Sequence, residues 1–242
     1  MVNDNAPTLG LRYDFRQKLP LGDYERFYAE CLEEIEEGVR LVRQAWEEGR
    51  IGFEGKRWQF EDLPFGPRPE RKLPIYFGAF AERAIDRAAR LADGFLASAG
   101  GGAFGEIYRK VREALARHGR ADEDFAYVAS GVVYVHGDAE RAREIVAPAI
   151  AYQRTRYAEW GTDRDKPKPE PVSSEDLPWE RYLVGTPSEV TEDLIGFYQE
   201  APYDHLCFWG RLPGVTHEQA LENMRLFAAE VAQKVREAVE TA

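Results

Sequence analysis

The stretch Leu73–Ser98, LPIYFGAFAERAIDRAARLADGFLAS, constrains the fold of this chain more than any other. A short apolar run, Ile75-Tyr76-Phe77, follows Pro74 and ends in the small turn Gly78-Ala79. A helical pattern comes next. Ala84, Ile85, Ala88, Ala89 and Ala92 share one face, and Glu82, Arg83, Asp86, Arg87 and Arg90 share the other. Asp93-Gly94 ends the helix, and Phe95-Leu96-Ala97 reads as a second buried strand. Strand, helix and strand in this order form a βαβ unit, which requires a parallel sheet covered by helices. The turn after the first strand leaves backbone N–H groups free at a helix N-terminus, a place that favours anions.

The rest of the chain repeats the theme. Asp23 caps a helix to about Glu48 whose core positions are Phe27, Cys31, Ile35, Val39, Val42 and Trp46. Residues 51–60 read as a hairpin turning at Glu54-Gly55. The flexible Gly100-Gly101-Gly102 precedes a helix that ends at His118-Gly119. Strands are expected at 75–79, 94–98, 125–135 and 206–209, and a further strand-like piece lies near Leu9. Residues 161–180 are polar and proline-rich, a surface excursion in which Leu177 and Trp179 pin the far end. Thr186-Pro187-Ser188-Glu189 and Thr216 with Gln219 have capping-box spacing.

Three segments resemble the luciferase-like flavin monooxygenase family. They are the organising stretch, Val184-Gly185-Thr186-Pro187-Ser188-Glu189-Val190, and Asp204-His205-Leu206 with Leu212-Pro213-Gly214 and His217-Glu218-Gln219-Ala220-Leu221. They stand in family order, and the similarity runs from about Leu9 to the C-terminus. The resemblance implies an α/β fold of (β/α)8 TIM-barrel type. The strand count then suggests an incomplete barrel without its N-terminal βα units, with residues 1–242 as one domain. It also implies reduced FMN, supplied by a separate flavin reductase, which with O2 oxygenates a small organic substrate. Sister families on this barrel use coenzyme F420 for hydride transfer, and a third reading is a non-catalytic structural partner. Dimers are the usual assembly.

The same resemblance places the flavin phosphate at Gly78, Ala79, Phe80 and Ala81, with Ser98 at the neighbouring strand end. Many relatives carry serines where this chain has Ala79, Phe80 and Ala81. Arg26 matches a phosphate-binding arginine of bacterial luciferase, and its fork suits an oxyanion. Arg12 and Tyr13 match an arginine-containing turn, and Trp209 would wall a flavin or substrate pocket. No segment matches the family's catalytic histidine. His118, His136, His205 and His217 show no metal-ligand spacing, so no metal is expected.

Net charge of −11 argues against nucleic acid or an anionic membrane as partner. Cys31 and Cys207, distant and outside any CxxC, fit a reducing cytoplasm. No apolar run approaches a membrane span, and the N-terminus shows no apolar signal core.

Overall fold

A computed structural model describes residues 24–98, 103–161 and 169–240. Helix α1 (Tyr24–Glu48) buries Val39 and Ala45, while Ile35, Val42 and Trp46 are half-buried. Gly49 ends it with φ at 69° and donates to the Ala45 carbonyl, a conformation that favours glycine. Strands β1 (Arg50–Glu54) and β2 (Gln59–Pro64) then form an antiparallel hairpin. Glu37 on α1 fixes its turn, accepting the N–H groups of Lys56, Arg57 and Trp58 at 2.7, 2.9 and 3.4 Å. These backbone donors, Arg57 foremost, hold the Glu37 carboxyl below its usual range. A Cβ at Gly55 would lie 2.2 Å from the Glu37 carboxylate and 2.5 Å from the Phe53 ring, so a side chain here would have to displace them.

The βα alternation follows: β3 (Tyr76–Phe77), α2 (Glu82–Leu91), β4 (Gly94–Ser98), α3 (Ala103–Arg117), β5 (Ala126–Gly131) and β6 (Val133–Val135). After α4 (Ala139–Gly161) come β7 (Leu183–Gly185), α5 (Pro187–Glu200), β8 (His205–Phe208), α6 (His217–Leu226) and α7 (Ala232–Glu240). A π-helical turn, Phe227–Val231, joins the last two helices. The main sheet has the order β3-β4-β5-β8, and every pair in it is parallel. Leu96, Val128 and His205 stand side by side, as do Ser98, Ser130 and Cys207. This is the α/β arrangement of a partial (β/α)8 barrel; the four strands of its sheet stand where the sequence places them, and the strand-like piece near Leu9 lies outside the described residues.

Two details differ from the sequence reading, each for a local reason. The expected strand 125–135 is cut at Val132, whose carbonyl accepts from Leu183. Its first half pairs with β8 and its second half with β7, as a separate two-stranded sheet. The expected strand 75–79 pairs over only two residues, because the Ile75 N–H is taken by the Asp93 carboxylate at 2.9 Å.

Helices cover one face of the sheet. Phe95 and Ala97 of β4, Tyr127 and Ala129 of β5, and Ile85, Phe104 and Leu115 of the helices form its main cluster. A second cluster gathers Val133, Leu183, Val190, Leu194 and Val231. Each such large side chain, fully buried, contributes roughly 1.5–3 kcal/mol. Arg87, read from sequence as part of a polar helix face, is buried instead, because α1 lies over it and supplies Glu36 at 3.4 Å. Of the excursion, residues 169–180 are described: Leu177 is buried, and the Val172 N–H donates to the buried Thr155 hydroxyl.

Candidate functional site

Side chains alternate across a strand, so the residues between the core positions point to the opposite, inner face of the sheet. These are Tyr76 on β3, Leu96 on β4, Val128 and Ser130 on β5, and His205 and Cys207 on β8. Among them Leu96, His205 and Cys207 are exposed. His205 is exposed on this face although its neighbour Val128 is buried, and its ring lies 6.4 Å from that of Tyr76.

At the C-terminal end of the strands the chain makes two features. The first is the turn Gly78–Ala81. Gly78 runs so close to β4 that a Cβ there would meet the Leu96 carbonyl at 3.0 Å. Ala79 packs against the main cluster, Phe80 is 77% exposed, and Ala81 is the N-cap of α2. Ala81 offers no side-chain acceptor, and its carbonyl receives only Ala84 and Ile85. Among the described residues nothing accepts from the N–H groups of Glu82 and Arg83, at the positive end of a ten-residue helix. Glu82 places a carboxylate in that same turn and competes with any anion. The second feature is Trp209, 55% exposed at the end of β8, its backbone N–H donating to the Gly131 carbonyl at 3.4 Å.

Planar tricyclic cofactors with a phosphate-bearing chain ask for an apolar wall beside a cluster of N–H donors. Leu96 and Phe80 offer apolar surface close to the first turn of α2, whose N–H groups are donors, so the residues present there fit such a group, with Trp209 exposed at the far edge of the sheet. Of the sequence-predicted set, Gly78, Ala79, Phe80 and Ala81 form one turn after β3, and Trp209 follows β8 at the opposite edge of the sheet. The backbone of Ser98 pairs beside Ser130, but its side chain lies outside the described part, as does that of Arg26 on α1. Arg12 and Tyr13 lie outside the described residues altogether. Sequence reading missed Leu96 and Cys207 as inner-face residues; the period-two pattern of FLAS and LCF carried that signal.

The N-terminal end of the sheet is charged and tightly bonded. Asp93 accepts from Arg43 at 2.8 Å, Lys72 at 2.8 Å and the Ile75 N–H. Asp204 accepts the Tyr127 N–H at 2.7 Å, and the Tyr127 hydroxyl donates to Asp122 at 2.6 Å. Burial, then Asp122, pushes the Tyr127 hydroxyl far above its usual range. A groove of about 560 Å³ opens here between Lys72, Tyr76, Asp93, Asp204 and His205. In this architecture the N-terminal end serves stability and the C-terminal end chemistry. The bonds just described agree, since they tie strands to helices. Among the described residues no cluster of His, Cys, Asp and Glu could hold a metal ion, and no helix is long and apolar enough to cross a membrane.

The profile of luciferase-like monooxygenases matches residues 22–205. The chain is 26% identical to an F420-dependent glucose-6-phosphate dehydrogenase of Microbacterium testaceum, over 95% of this chain and 71% of that protein. It is 29% identical to the enzyme of the same name from Kineococcus radiotolerans, over 84% and 60%. Among solved structures, a monooxygenase from Streptomyces bottropensis superposes with a TM-score of 0.65 at 21% identity, over 89% of this chain and 66% of that one, a likeness of fold. This chain thus spans 60% and 71% of the two curated relatives' lengths.

Proposed function

We propose, from the premise that this chain belongs to the luciferase-like monooxygenase family, that it is an oxidoreductase using coenzyme F420 on a small organic substrate. One observation carries the choice of cofactor: both curated relatives described above are F420-dependent dehydrogenases. The sequence motifs by themselves do not choose between the expected FMN and its F420 alternative, for a physical reason. Both molecules join a flat tricyclic ring to a phosphate-bearing chain. The motifs legible here, an apolar wall and an open helix N-terminus, recognise what the two share. FMN with O2 remains the second reading, supported by the luciferase-like monooxygenase profile that matches residues 22–205.

When bound, F420 supplies a two-electron hydride centre. The protein's share is to bind, orient and exclude water. The Glu82 and Arg83 amides and Gly78 would hold the phosphate, with Arg26 adding charge from α1. Leu96 and Trp209 would line the ring. Among inner-face side chains of the described strands, none near the C-terminal end is a carboxylate, lysine or histidine, so the substrate's proton is handled by a group outside that set.

Calorimetric titration of the folded protein with F420, FMN and riboflavin tests the reading. F420 is expected to bind at least about tenfold more tightly than FMN, a difference of about 1.4 kcal/mol. Tighter FMN binding would transfer the chain to the second reading, and no saturable binding would remove both. Arg26→Ala should weaken phosphate-bearing cofactors by about 1.5–3 kcal/mol, the range for a hydrogen bond to a charged group. Riboflavin, which lacks the phosphate, should bind parent and variant alike.

A further inference from the structure

We propose that Glu82 sets which phosphate the first turn of α2 accepts, favouring a singly charged phosphodiester over a doubly charged phosphomonoester. The proposal deepens the F420 reading of that site and rests on it. F420 carries its phosphate as a diester of one charge, and its other charges lie beyond it along the tail. The FMN phosphate is a monoester, close to two charges at neutral pH. An apolar surface and a helix start do not tell these apart. A fixed negative charge does, because its repulsion doubles with the charge of the ligand.

Glu82 is placed to act in this way. It is the first residue of α2, directly after the N-cap Ala81, and its own N–H is one of the two donors. Its carboxylate therefore cannot lie far from a phosphate that those donors hold. Among the described residues no cation pairs with it. Arg83 follows directly, but consecutive helix residues do not face each other. One turn further on stands a second acid, Asp86, which His118 and Arg117 engage at 2.9 and 3.5 Å. First-turn acids elsewhere are taken up: Glu106 by Lys110 at 2.5 Å, and Glu189 by the Thr186 N–H at 2.8 Å. The start of α2 thus combines donors that attract an anion with a carboxylate that limits its charge.

Calorimetric titration with FMN, the methyl ester of its phosphate, riboflavin and F420 is the test, for the parent, Glu82→Gln and Glu140→Gln. FMN and its methyl ester share ring and chain and differ by one phosphate charge. Glu140 is an exposed first-turn acid of α4, and its loss changes the net charge equally. Removing the Glu82 charge should tighten binding by about threefold per phosphate charge, within the range for a charge at a helix start. That is about threefold for the methyl ester and F420, about tenfold for FMN, and no change for riboflavin. The ratio of FMN to methyl-ester affinity should then rise about threefold in Glu82→Gln and keep the parent value in Glu140→Gln. Binding with an unchanged ratio overturns the proposal and leaves the F420 reading standing, since Glu82 would then serve only its helix. An equal rise in Glu140→Gln also overturns it, because the field of the whole protein would be the cause. If F420 alone binds, its own affinity decides, and an unchanged value in Glu82→Gln overturns the proposal. No saturable binding of any of the four by the folded protein overturns both the proposal and the reading beneath it.

Discussion

Asp93 shows how much structure one side chain can hold. Its carboxylate joins α1 through Arg43, the connector through Lys72, and the start of β3 through the Ile75 N–H. Burial alone would raise its pKa, but Lys72, Ile75 and Arg43 outweigh burial and hold it below the usual carboxylate range. Asp93→Ala leaves Arg43 without its carboxylate and should cost about 2–4 kcal/mol, read from urea midpoints at constant m. The pH dependence has a definite sign. The folded pKa is depressed, so the contribution is fully present above the unfolded value of about 3.9 and disappears as pH falls through the folded value. Urea stability of the parent should therefore drop below about pH 4 more steeply than that of Asp93→Ala. From sequence, Asp93 reads only as a helix stop, because its partners lie 18 to 50 positions away. Arg87 was misread for the same reason: helical periodicity assigns a face, but not the element that covers it.

At the scale of elements, the helix starts divide into two kinds. α5 and α6 begin with complete capping boxes, Thr186 with Glu189 and Thr216 with Gln219, both foreseen from spacing. Thr186→Ala should lower stability by about 1 kcal/mol in chemical denaturation. α2 has no such cap. Ala81→Ser should therefore stabilise the protein by about 0.5–1 kcal/mol, and a loss of stability would show that the turn cannot spare its present shape. Gly94 marks the tightest strand contact. A Cβ there would sit 2.4 Å from the Ala126 carbonyl and 2.8 Å from the Tyr76 ring, so Gly94→Ala must push β4 off its neighbours. A cost of about 1–3 kcal/mol is expected, measured the same way. Apolar runs and turn residues made the four sheet strands legible. β7 escaped because three residues that run straight into a capping box carry no period, and the break at Val132 depends on a partner 51 positions later.

On the whole molecule, the order β3-β4-β5-β8 separates two ends with different work. The N-terminal end carries the charged bonds that hold strands to helices. The C-terminal end carries an uncapped helix start, Gly78 against Leu96, and exposed Phe80 and Trp209. The sequence motifs located that end, since Gly78 to Ala81 follow a strand and open a helix. They did not reveal the open inner face, because exposure is a property of what packs across a sheet. The central claim is that the cofactor sits at the C-terminal end. Hydrogen–deuterium exchange with and without F420 tests it most directly. The account predicts slowed exchange at residues 78–84 and 207–211, with the Asp93 and Asp204 ends of the strands unchanged. Protection confined to the groove beside Lys72, Asp93 and Asp204, or to the outer helices, would contradict it.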